Sequence, residues 1–143
     1  MISLTFAAAK KGFFDREKVK RSVDAGTRRV LSRFGAFVRQ RAKTSIRKRK
    51  GTSPPAGPPF SHVGLLRKFI LFAYDPDRKS VVIGPTLIRE GSEAPHLLEH
   101  GGDTTLETRR GPKPAHYRPR PFMGPAFIAE QEKLPALWKN SVR

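Results

Sequence analysis

Hydrophobic positions along this chain change period from segment to segment, and each change marks an element. Ile2, Leu4 and Phe6 alternate with Ser3 and Thr5, which predicts a short strand, broken by Lys10, Lys11 and Gly12. From Asp15 the period becomes helical: Val19, Val23, Val30, Phe34, Val38, Ala42 and Ile46 follow spacings of three, four or seven, and Leu31 and Phe37 widen the stripe. Asp15 suits an N-cap, and Asp15 and Glu17 suit the positive end of a helix dipole. One amphipathic helix is therefore expected within residues 15–50, with Lys43 and Arg47 to Lys50 in its last turns and Gly51 as its stop. A helix of about thirty residues is about 45 Å long at about 1.5 Å per residue. That exceeds the domain the rest of the chain can build, so part of it is expected to project or to lie on another subunit. Gly35 and Ala36 permit a close approach at mid-helix.

Residues 51–63 hold Pro54, Pro55, Gly57, Pro58 and Pro59, which predicts an extended, polyproline-like arm. Residues 64–68 read as a helical turn or strand entry. Phe69 to Tyr74 and Ser80 to Gly84, joined by the turn Asp75-Pro76-Asp77-Arg78, predict an antiparallel hairpin. Glu93 to His100 suggests a short helix ended by Gly101 and Gly102. Thr104 to Thr108 has strand propensity and is expected to be a third strand, with 109–117 as loop. Pro121 is expected to open a final helix over 121–138, burying Phe122, Ala126, Ala129 and Leu134 or Trp138, with Pro135 kinking or ending it. Phe122 is expected to plug the core between the long helix and the hairpin. The expected fold is α+β in one domain, residues 1–143: a long N-terminal helix, a sheet region over 64–108 with three or four antiparallel strands, and a C-terminal helix packed on one sheet face. No internal repeat is visible.

Composition sharpens this picture. The hydrophobic fraction of 37% is low for a compact monomer, so neighbouring subunits are expected to contribute stability. The chain has no Cys, which excludes disulfides, thiolate metal sites and thiol nucleophiles. No apolar run is long enough for a membrane span, and the first residues lack the apolar core of a signal peptide, so synthesis in the cytoplasm is expected. The net charge of +17 sits mainly in residues 1–60, which hold 16 Lys/Arg against 3 Asp/Glu. Such a charge calls for a polyanionic neighbour, nucleic acid or an acidic protein surface. Arg39, Arg41, Lys43, Arg47, Lys48, Arg49 and Lys50 are the candidate contacts, because guanidinium and ammonium groups bind phosphates through charge-assisted hydrogen bonds and counterion release.

Catalytic chemistry finds little support. His96 and His100 are spaced i, i+4 with Glu99 between them, but a third metal ligand is missing from the pattern, so a surface or interface role is expected and no metal. Glu99 has no partner acid or nucleophile. Neither phosphate-loop pattern nor a nucleophile elbow occurs. No catalytic residue, cofactor or enzymatic activity is expected. Pro55-Ala56-Gly57-Pro58 fits a PxxP ligand, but an arm reaching along a neighbouring subunit suits the long helix better.

Taken in order, three blocks form a larger pattern. Ser53-Pro54-Pro55-Ala56-Gly57-Pro58-Pro59 is followed by Gly64-Leu65-Leu66-Arg67-Lys68-Phe69-Ile70. Leu97-Leu98-Glu99-His100-Gly101-Gly102 comes next, and Arg118-Pro119-Arg120-Pro121-Phe122-Met123-Gly124-Pro125-Ala126 opens the last helix. Over residues 17–138 this resembles the neck and tail-completion (minor tail component) family of tailed double-stranded DNA phages. The resemblance implies a virion protein at the head–tail junction or proximal tail end, assembled as a ring of six or twelve copies around the DNA path. Its implied partners are connector or stopper, tail-tube or tail-terminator proteins, and genomic DNA in the lumen. It also implies that Leu65, Gly101, Pro121 and Phe122 are structural anchors, and that Glu99 holds the turn into the next strand. From a different class, a non-specific nucleic-acid-binding protein also fits the charge.

Overall fold

The computed structural model of the chain describes residues 15–86 and 93–141. The strand expected over residues 2–6 lies outside the described residues. The class is α+β, as expected: a long N-terminal helix, two small antiparallel hairpins and a helical C-terminus.

Helix α1 (Arg16–Ser45) runs for 30 residues and is capped by Asp15, whose Oδ1 accepts the Lys18 N–H at 3.0 Å. It stops at Ser45 rather than reaching Lys50. The Thr44 hydroxyl donates to the carbonyls of Gln40 and Arg41, and the Ser45 hydroxyl to that of Ala42, closing the last turn from within. Ile46 is already extended, so Arg47 to Lys50 lie on an extended segment, not on a helix end. Along α1 the buried residues are Gly26, Val30, Phe34, Gly35, Val38 and Ala42. The stripe continues N-terminally through Val23 and Val19, but these are 43% and 49% exposed. The first ten residues of α1, about 15 Å at about 1.5 Å per residue, bury no side chain.

Helix α2 (Leu65–Phe69) leads into β1 (Ile70–Asp75), which pairs antiparallel with β2 (Ser80–Pro85) in the register Ile70↔Pro85 to Asp75↔Ser80. The Asp75 carboxylate accepts the N–H groups of Asp77 and Arg78 and sets the turn. This hairpin runs back along α1. At one end Arg39 Nε donates to the Ile70 carbonyl at 2.9 Å; at the other Lys79 Nζ reaches Asp24 Oδ1 at 2.6 Å. Gly35 makes the approach possible, because a Cβ there would stand 2.8 Å from Val81 Cγ2 and 2.9 Å from Phe72 Cδ2.

Helix α3 (Ala94–His100) ends at Gly101, and β3 (Gly102–Thr108) pairs with β4 (Gly111–Tyr117) as a second, separate hairpin. The four strands therefore do not share one sheet, and residues 109–117 are mostly strand rather than loop. Pro112 and Pro114 hid β4 from the sequence. They have the same parity, so both missing N–H groups fall on the same side of the strand, where an edge strand tolerates them.

Helix α4 (Met123–Gln131) and the short α5 (Leu134–Trp138) close the chain. The C-terminal helix is thus interrupted at Glu132 and Lys133, just before Pro135, and it begins two residues after Pro121. It packs against α1 rather than on a sheet face. Phe127 meets Phe34 edge-on at 5.6 Å between ring centroids. Trp138 is exposed and Ala129 half-buried, while Leu134 packs at the margin of the core. The core itself joins Phe34, Val38, Ala42 and Ile46 to Leu66, Ile70, Phe122 and Ala126. Phe122 sits in it at 1% exposure, where the long helix, the first hairpin and α4 meet.

Candidate functional site

Two constructions dominate the surface around this core. The first is a carboxylate joint at Glu99. The segment after β4 returns across the end of α3, with Arg120 N–H donating to the Leu98 carbonyl at 2.6 Å. That return places the start of α4 over Glu99. Its Oε2 accepts the N–H groups of Phe122 and Met123 at 2.9 and 3.0 Å, and its Oε1 accepts that of Gly124 at 2.7 Å. Phe122 occupies the N-cap position and has no capping side chain, so Glu99 satisfies three amides that would otherwise be orphans at the positive end of the helix. The role of Glu99 is structural, but what it fixes is the first turn of α4, not the turn into β3. That turn is made by Gly101, with φ of +74°, whose N–H donates to the Leu97 carbonyl at 2.8 Å. A Cβ on Gly101 would stand 2.9 Å from both Pro119 Cδ and the Tyr117 carbonyl oxygen.

The second construction is the basic flank, and the structure divides its expected members. Arg39 is engaged with the Ile70 carbonyl. Arg41 pairs with Glu130 of α4, a carboxylate only 5% exposed that also accepts from Lys133 Nζ at 3.1 Å. Burial would push the Glu130 pKa up; the hydrogen bonds and charges of Arg41 and Lys133 outweigh it and hold the pKa below its ordinary 4.5. Sequence reading missed Glu130, and the signal available was weak: the one acid of a mostly apolar helix. Its stabilising contribution is present above pH 4.5 and is lost as pH falls through the lowered value. Thermal melting from pH 6 down to pH 3 should show stability falling as this group takes up its proton. Glu130→Gln should be less stable at pH 6 and flatter below pH 4.5; an unchanged acid limb would refute the assignment.

Arg47, Lys48, Arg49 and Lys50 are exposed and meet no carboxylate among the described residues. Their backbone is nonetheless ordered. Arg47 bridges in parallel to Phe60, the Ser61 N–H donates to the Arg47 carbonyl at 3.0 Å, and His62 Nε2 contacts the Gly51 carbonyl at 3.0 Å. The Arg49 guanidinium lies over the Phe60 ring, 5.6 Å from its centroid. The Lys43 pKa is lowered, first by burial and then by the charges of Arg39 and Arg67.

The proline arm is held on its own chain. Ser53 and Pro59 are buried, Arg120 Nε donates to the Ser53 carbonyl at 3.2 Å, and the Ala56 N–H donates to the Pro119 carbonyl at 3.2 Å. Pro54, Pro55 and Pro58 remain exposed. Of the expected anchors, Leu65 is 43% exposed and its neighbour Leu66, at 7%, fills the core instead. The His96 and His100 rings lie 4.8 Å apart, and no group of three possible metal ligands occurs among the described residues.

No helix among the described residues is long and apolar enough to cross a membrane. The chain matches no protein-family model, and no curated protein or solved structure is significantly similar to it.

Proposed function

We propose that this chain is a structural subunit of a tailed phage, forming a ring at the head–tail junction or proximal tail end, around the DNA path. The order of its proline, Glu-x-Gly and Arg-Pro-Phe blocks supports the family; the distribution of apolar surface supports the assembly. The observation that carries the reading is that apolar residues lie outside the reach of the core. Val19 and Val23 stand on the unburied end of α1, and Leu71 and Val82, at 45% and 64% exposure, lie on the outer face of the first hairpin. A hairpin with one solvated face ordinarily places polar residues there. A head-to-tail interface between copies would bury such surface and close into a ring. The exposed Pro54, Pro55 and Pro58 and the exposed cations would face neighbouring subunits, connector or tail proteins, or DNA.

The test is light scattering and electron microscopy of the chain alone and with candidate connector and tail-tube proteins. Rings are expected, and Val19→Asp with Val23→Asp should abolish them without unfolding the monomer. Monomers under every condition would end the proposal. The basic flank also supports a second reading, a non-specific nucleic-acid-binding protein, which gives monomers or dimers that bind DNA.

A further inference from the structure

Residues 25–74 contain twelve Lys or Arg and not one Asp or Glu. Only Arg41 of these cations meets a carboxylate among the described residues. The fold gathers several of them instead of dispersing them. Arg39 and Lys43 are one helical turn apart on the same face of α1. Arg67 of α2 is near enough to perturb Lys43. Where α1 ends, the extended segment continues the row through Arg47, Lys48, Arg49 and Lys50, braced by the Phe60 bridge and by the Arg49–Phe60 stacking. A scaffold that holds like charges together without compensating acids builds a strong positive potential and attracts a polyanion.

We propose that this row is a ledge that grips the phosphodiester backbone of duplex DNA without reading its sequence. The ledge offers donors alone, since Arg and Lys side chains have no acceptor, which suits the oxygens of phosphates and carboxylates alike. One observation favours nucleic acid over an acidic protein. An acidic strand adding itself to the extended segment would need that segment's backbone, yet the carbonyls of Arg47 and Gly51 are already occupied by Ser61 and His62. The Phe60 ring, which could otherwise stack on a base, is covered by Arg49. The proposal deepens the DNA-facing role given above and rests on it for the choice of duplex.

The experiment is fluorescence anisotropy of the full chain with a labelled duplex of about 30 base pairs and arbitrary sequence, over about 50–250 mM NaCl. Non-specific affinity in the range of about 10⁻⁴–10⁻⁶ M is expected, tightening at low salt. With about five phosphates neutralised, log K against log salt should have a slope of about −4.5. Replacing Lys43, Arg47, Lys48, Arg49, Lys50 and Arg67 by Gln should cut affinity at least tenfold and flatten the slope by about 0.9 for each phosphate no longer neutralised. Circular dichroism melting confirms that the variant is folded; if it is not, the pair Lys48→Gln and Lys50→Gln, both exposed on the extended segment, should still flatten the slope by about 2. As a charge control, Arg109→Gln, Arg110→Gln and Lys113→Gln on the far hairpin should leave the slope unchanged. Equal losses of affinity in ledge and control variants would overturn the proposal, leaving net charge alone as the cause. So would an absence of duplex binding at low salt, with poly-L-glutamate bound instead. Ring formation is read by scattering, so its failure and the failure of the ledge are separate results.

Discussion

Glu99→Ala should lower folding stability by about 3 kcal/mol. Hydrogen bonds to a charged group contribute about 1.5–3 kcal/mol each, and Glu99 accepts three, from Phe122, Met123 and Gly124. The simple sum is too high, because Glu99 is only half-buried and water can replace part of what the variant removes. A single capping side chain contributes about 0.5–2 kcal/mol, and Glu99 serves more amides than one cap does. Urea unfolding followed by circular dichroism measures the loss directly. Glu99→Gln should fall between, since an amide oxygen still accepts but carries no charge for the helix dipole. A loss below about 1 kcal/mol for the alanine variant would mean that α4 is held by its packing alone.

Phe122→Ala should remove about 3–5 kcal/mol, the usual result of emptying an aromatic from a closed core. Phe122 is 1% exposed and belongs to the cluster that joins α1, the first hairpin and α4. The same residue donates its N–H to Glu99. The two effects should therefore couple: a double variant of Glu99 and Phe122 should lose less than the sum of the single losses, by about 0.5–3 kcal/mol. Strict additivity in that cycle would show that Glu99 does not seat the ring. A loss under about 1.5 kcal/mol for Phe122→Ala would mean that the core collapses to fill the space.

What the sequence made legible follows from periodicity. The helical stripe from Val30 to Ile46 and the two apolar runs on either side of the Asp75 turn place most of the core, because each pattern is local. Asp15, Gly101 and the Asp75 turn are legible for the same reason: each acts on its own neighbours. The misreadings are mostly tertiary. Whether strands share a sheet is decided by packing between hairpins, which no local pattern encodes, so the two separate hairpins read as one sheet. Prolines in β4 masked a strand, since propensity does not say on which side the missing N–H falls. The Arg41–Glu130 pair joins residues far apart in the chain, and nothing beside Glu130 announces its burial. The basic flank was legible as charge but not as shape: its members looked helical because cations suit a helix end. The helix ends earlier, at Ser45, with the hydroxyls of Thr44 and Ser45 on carbonyls of its last turn.

The return of the chain at Arg120 has a consequence for how this protein tolerates change. The Arg120–Leu98 hydrogen bond and the Glu99 carboxylate fasten residues 98–99 to 120–124, on either side of the second hairpin. Everything between hangs from that clasp as an appendix, and its strands bury almost nothing of their own. Its length and sequence are thereby released from the demands of the core, and insertions, tags or a wholly different loop can be grafted there while the body keeps its shape.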